Sequence, residues 1–132
     1  MLTFEAFSNM GYLAYTLSDS SRRALLAHFK PQFEKVICHH VTYQFPAKKT
    51  DALPPAVHQA HVVGHAEEDG LECLVVEVNG HTKRPDGKLY HITLSLDAKK
   101  GKKPVHSNDL LQKHGYKHVT PFPIHLTPEF LQ

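Results

Sequence analysis

Tyr90-His91-Ile92-Thr93-Leu94-Ser95-Leu96 alternates polar and apolar side chains from His91 onward. Residues two apart share one face of a strand, so His91, Thr93 and Ser95 fall on one face and Ile92, Leu94 and Leu96 on the other. The run Val36-Ile37-Cys38-His39-His40-Val41-Thr42-Tyr43-Gln44-Phe45 is rich in β-branched and aromatic residues and reads as a second strand, closed by Pro46. Its His40, Thr42 and Gln44 oppose Val41, Tyr43 and Phe45. Each strand then has a His/Thr face backed by an apolar face that packs on a core. Side by side, the two would bring two imidazoles and two hydroxyls into one cleft.

Working outward, Gly11 to Leu17 reads as a strand. Ser18-Asp19-Ser20 follows as a helix N-cap region, and Arg22 to Phe29 as a short helix ended before Pro31. Ala47 to Pro55 has the lysines and prolines of an exposed loop. Val57 to Glu67 and Leu71 to Val78 form an expected antiparallel hairpin, turning at Glu68-Asp69-Gly70. Beyond the polar loop bracketed by Asn79-Gly80 and Pro85-Asp86-Gly87, Lys88 to Leu96 resumes the strand pattern. A second short helix is expected from a Ser107 or Asn108 cap to Gly115. Tyr116 to Ile124, broken by Pro121 and Pro123, is an edge or irregular strand. These elements predict a single α+β domain over residues 1–132, with antiparallel sheets forming a cleft and two short helices.

Composition narrows the function. At 132 residues and a net charge of +2, the chain is long enough to bury a core and too weakly basic to bind nucleic acid by bulk electrostatics. Any anionic ligand must be held locally. No stretch approaches the ~20 apolar residues of a membrane span. Met1-Leu2-Thr3-Phe4-Glu5 lacks the basic start and apolar run of a secretion signal, so a cytoplasmic site is expected. Cys38 and Cys73 lie in apolar runs and read as reduced, structural thiols. The twelve histidines are the unusual feature, and only spacing can assign them.

Chance supplies about one His-x-Ser/Thr triplet in a chain of this composition, and this one has four. Those at His118-Val119-Thr120 and His125-Leu126-Thr127 are each followed by proline, which withholds a backbone donor that an interior strand needs. They are set aside. The pairs His40/Thr42 and His91/Thr93 carry the reading.

The chain here resembles the two-histidine (2H) phosphoesterases, whose signature is a pair of His-x-Thr/Ser motifs on central strands. The likeness runs from Gly11-Tyr12-Leu13-Ala14-Tyr15 through His39-His40-Val41-Thr42 to Tyr90-His91-Ile92-Thr93-Leu94-Ser95-Leu96, and the second motif is similar to those of RNA-repair cyclic phosphodiesterase domains. It implies His40 and His91 as an acid/base pair, Thr42 and Thr93 as donors to phosphate oxygens, and hydrolysis of a 2′,3′-cyclic phosphate on an RNA end or small nucleotide. The motifs stand only 51 residues apart, closer than in many larger members, so the lobes and covering loops must be trimmed. Other 2′-linked phosphodiesters and cyclic oligonucleotide signals offer the same chemistry. A module that binds RNA or a nucleotide without turnover is the rival reading.

That chemistry stands on its own terms. Hydrolysis of a phosphodiester needs a base for the attacking water, an acid for the leaving oxygen and donors for the transition-state charge. No cofactor or metal is expected, since two histidines can hold opposite protonation states and no paired Asp cluster is present. His81, Lys83 and Arg84 precede the second motif and are candidates to grip a phosphate or base, Arg84 with a bidentate fork. Tyr90 points away from His91 by parity; it is a core residue that could reach a base at an edge. Tyr43 is expected in the core and His39 on the face opposite His40. His58, His61 and His65 alternate faces without partners at zinc-ligand spacing. The lysines from 99 to 103 read as solvated surface, with no P-loop pattern.

Overall fold

The structure, a computed structural model, describes residues 10–132. The secretion-signal reading of Met1 to Glu5 lies outside them. The fold is α+β, with two antiparallel sheets and two α-helices. In chain order the elements are β1 (Met10–Leu17), α1 (Asp19–His28), β2 (Lys35–Val36), β3 (His40–Lys48), β4 (Ala60–Glu68), β5 (Leu71–Val78) and β6 (His91–Leu96). A 3₁₀ turn (Ala98–Lys100), α2 (His106–His114), β7 (Lys117–Pro123) and β8 (Leu126–Leu131) complete it. Three strands pair in the order β3-β1-β8 and five in the order β2-β6-β5-β4-β7.

Helix α1 starts earlier than the Arg22 expected, because the Ser18 side chain accepts from the Ser21 N–H and satisfies the first turn. In the β4–β5 hairpin, Asp69 and Gly70 both take positive φ, as a two-residue turn matched to strand twist requires. Along β5, Leu74, Val76 and Val78 join a core shared with Tyr15, Val41 and Leu126 of the smaller sheet and Leu25 of α1. Cys73 and Val75 join a second core under Leu110 and Leu111 of α2. The larger sheet is thus covered on both faces, which is why β5 reads as nearly continuous apolar sequence. Both cysteines are free and buried, and burial pushes their thiols up to about 11 at Cys38 and about 12 at Cys73.

Three expectations need correction. The run 36–45 is not one strand: β2 belongs to the larger sheet, β3 to the smaller, and the chain crosses between them at 37–39 with Cys38 at φ 45°. Nor does Pro46 end β3. It is tolerated because β3 is an edge strand and Pro46 falls in a register shift between Gln44, paired with Leu13, and Ala47, paired with Gly11. Helix α2 begins at His106 with Val105 as its cap residue and no side-chain cap bond, so neither Ser107 nor Asn108 caps it. Strand β7 does lie at a sheet edge, while β8, which carries Pro128 at the other sheet's edge, had no counterpart in the sequence reading. Among the described residues no helix is long and apolar enough to cross a membrane.

Candidate active site

His40 opens β3 and His91 opens β6, so the two imidazoles come from different sheets. Val41 and Ile92, one residue on, both enter the shared core with α1. By strand parity the His/Thr faces therefore look away from that core. His40, Thr42, His91 and Thr93 all line one cavity of about 370 Å³.

His91 is 8% exposed, and its Nδ1–H donates to the Leu89 carbonyl at 3.0 Å, because a carbonyl can only accept. The neutral ring consequently keeps its proton on Nδ1 and leaves Nε2 as the free nitrogen. Burial lowers the pKa of His91; the Leu89 bond partly offsets this, and Arg84 and Lys88 add to the lowering. His40 is pushed down to about 4 by burial first and then by His39 and His91. Its Nδ1 lies 3.0 Å from Nδ1 of His39, so one ring donates to the other. Parity had separated these neighbours. It fails here because His39 precedes β3 in the crossing segment.

The two threonines differ. Thr93 Oγ1 donates to the Pro104 carbonyl at 3.2 Å and lies 2.9 Å from Ser107 Oγ in α2, so its hydroxyl is engaged by the protein. Thr42 is half-buried on the cavity wall with no such tie.

Of the four residues expected to bind substrate, the cavity includes Arg84 alone. Its main chain is set by the Arg84-Pro85-Asp86-Gly87 turn, closed by Gly87 N–H donating to the Arg84 carbonyl. Arg84 is only 5% exposed; Nη2 donates to Asp86 at 2.6 Å while Nε, also buried, has no partner. A buried cationic donor left unpaired costs folding energy unless a ligand completes it. Lys88, at the end of the same turn, also reaches the wall.

Tyr90 is buried in the shared core, as its parity predicts, with its ring centroid 6.3 Å from that of Tyr15, and it does not line the cavity as a substrate contact would. His81 and Lys83 are exposed and lie outside the cavity wall, their main chains bridged to Val78 and Leu89. Sequence reading missed Tyr12, Phe45, Lys88 and Asn108, all on the wall. Phe45 is 68% exposed and 6.1 Å from Tyr12, whose ring lies 5.3 Å from His40. Parity had placed Phe45 with Val41, and the register shift along β3 is what undoes that.

Among the described residues no group of three or more His, Cys, Asp or Glu is placed to hold a metal ion. Lys100 and Lys102 of the lysine loop are taken up by Asp69 at 3.1 and 3.8 Å. His118 packs on Tyr116, and neither it nor His125 lines the histidine cavity. The chain matches no protein-family model, no curated protein and no solved structure.

Proposed function

We propose that this protein is a metal-independent phosphodiesterase of the two-histidine kind, opening 2′,3′-cyclic phosphates on RNA ends or nucleotides. One observation carries the reading: two histidines from separate sheets line a single cavity with a buried guanidinium whose Nε is unpaired. Two unprotonated imidazoles beside a guanidinium with an unpaired Nε and the Lys88 ammonium suit a ligand that brings its own negative charge.

In the catalytic cycle Arg84 holds the non-bridging phosphate oxygens, assisted by the Thr42 hydroxyl. Phosphate binding raises the proton affinity of both rings. The proton settles on His91, because the Leu89 carbonyl supports its imidazolium form while His39 opposes that of His40. His40 then removes a proton from the attacking water as the new P–O bond forms. The bond from phosphorus to one ribose oxygen breaks, and that oxygen takes the proton of His91, leaving a phosphomonoester and a free hydroxyl. Thr93, tied to Pro104 and Ser107, positions the wall next to His91. Tyr12 and the exposed Phe45 offer a flat face on which a base can stack.

The test is a panel of 2′,3′-cyclic mononucleotides and a dinucleotide ending in a cyclic phosphate, assayed with chelator between pH 4 and 8. Phosphomonoester products are expected, and no turnover of any substrate would sink the proposal. Arg84→Met, which keeps most of the buried volume, is expected to lower kcat/KM about 100-fold through loss of a transition-state donor. A change under threefold would remove Arg84 from the mechanism. The engagement of Thr93 favours one other reading, a module that binds the same ligands without turnover. Tight binding with an empty turnover panel would select it.

A further inference from the structure

Lys88 and Asn108, on the wall of the histidine cavity, are shared with a neighbouring one. This second cavity, of about 430 Å³, is bounded by the 84–88 turn on one side and α2 on the other. Leu89 and Leu111 give it an apolar part, while Asp86, Asp109 and Gln112 give it side-chain acceptors. Asn108 stands at the junction. Its Nδ2 donates to the Val105 carbonyl at 3.4 Å, and its Oδ1 is buried with no partner. Two side-chain polar atoms among the described residues are buried and unpaired, Arg84 Nε and Asn108 Oδ1, and both belong to residues of the histidine cavity.

The charges along this path have an order. Arg84 and Lys88, both cationic, line the first cavity; Lys88 also borders the second, whose carboxylates are Asp109 and Asp86, the latter paired with Arg84. A second phosphate would be held at Lys88 and repelled beyond it. A neutral group rich in O–H and N–H donors fits past that point, because Asp109, Gln112 and Asn108 Oδ1 can all accept from it. Apolar Leu89 and Leu111 suit the flat faces of such a group. A ribose with its base has that chemistry, whereas a lone mononucleotide would leave both the second cavity and the Asn108 oxygen unused.

We infer that the substrate is an oligonucleotide end, with its terminal cyclic phosphate at His40 and His91, the adjoining internucleotide phosphate at Lys88, and the penultimate nucleoside in the second cavity. The inference rests on the phosphodiesterase reading for what happens at the histidines, but its test needs only binding. Adenosine 3′,5′-bisphosphate carries two phosphates and no second nucleoside; the dinucleotide ApAp, with a 3′-phosphate, carries two phosphates and the second nucleoside. Both are titrated calorimetrically against the full chain at one fixed ionic strength, so that counterion release does not masquerade as recognition.

ApAp is expected to bind at least tenfold more tightly. Gln112→Trp, at an exposed position on the second cavity's wall, is expected to cut that advantage below twofold while leaving the bisphosphate's affinity unchanged. Asp109→Trp serves as a second obstruction. Equal affinities in the unmodified protein would overturn the inference, as would an advantage that survives both tryptophans. An empty turnover panel with the affinity difference intact would instead count against the catalytic reading and leave this one standing.

Discussion

His91→Ala is expected to lower kcat on a 2′,3′-cyclic phosphate by about 10³-fold, the usual contribution of one positioned acid or base. His40→Ala should do the same, and the double variant little more, since the two act in one proton relay. Both singles should remain folded and still bind a nucleotide 3′-phosphate, because Arg84 and Lys88 are untouched. Steady-state kinetics with chelator, beside circular dichroism and a binding titration, separate loss of chemistry from loss of fold. Undiminished turnover in either variant would remove that histidine from the relay. The pH dependence of the unmodified enzyme offers an independent check. In the free enzyme His40 must be unprotonated, which sets an acid limb of kcat/KM near pH 4. His91 must be protonated, and its lowered pKa places the alkaline limb below the ordinary histidine value of 6.5. Bound phosphate raises both, so the kcat profile should lie at higher pH than that of kcat/KM. A kcat/KM still climbing above pH 7 would contradict this assignment of acid and base.

The largest expected effect on stability is at Glu72, far from the chemistry in sequence but close to its support. The residue is 1% exposed, yet its carboxylate accepts from Gln32 N–H at 3.1 Å and Ser95 Oγ at 2.8 Å, with His65 Nε2 2.8 Å away. Burial alone would raise its pKa, but the bonds from His65, Gln32 and Ser95 outweigh it and hold the carboxyl below its usual range. Ser95 in turn accepts from Phe33 N–H. The carboxylate therefore pins Gln32 and, through Ser95, Phe33 onto the larger sheet, four to five residues before Ile37 reaches the cavity wall. Glu72→Ala is expected to cost roughly 3–5 kcal/mol in denaturant unfolding, because it leaves several buried donors without an acceptor. A loss under 1 kcal/mol would mean water replaces the carboxylate. With a folded pKa below the unfolded one, the carboxylate's contribution is fully present above the unfolded value. It is lost as pH falls through the folded value. The variant's deficit should accordingly shrink in acid.

Local pattern carried much of this fold. The apolar run 71–78, alternation in 91–96, the Ser18 cap and the Asp69-Gly70 turn each depend on residues within a few positions of one another. Alternation also supplied the shared face of His40 with Thr42 and of His91 with Thr93, since parity holds wherever a strand is continuous. It failed at 37–39, where positive φ at Cys38 breaks the run and brings His39 against His40. It failed again beyond Gln44, where the register shift sends Phe45 to the cavity.

The sequence by itself determined that two polar-faced strands exist, that each carries a histidine and a threonine, and that the chain is α+β. Pairing decided the rest. Only the tertiary structure assigned β3 and β6 to different sheets and made their histidines share one cavity. It also buried Arg84 there with a free Nε, drew Tyr90 into the core and left His81 and Lys83 outside. The reason is physical: a strand's own period says which side chains travel together, whereas which faces meet depends on contacts between residues far apart in the chain, and no local signal in 81–90 distinguishes the cation that is buried from those that are not.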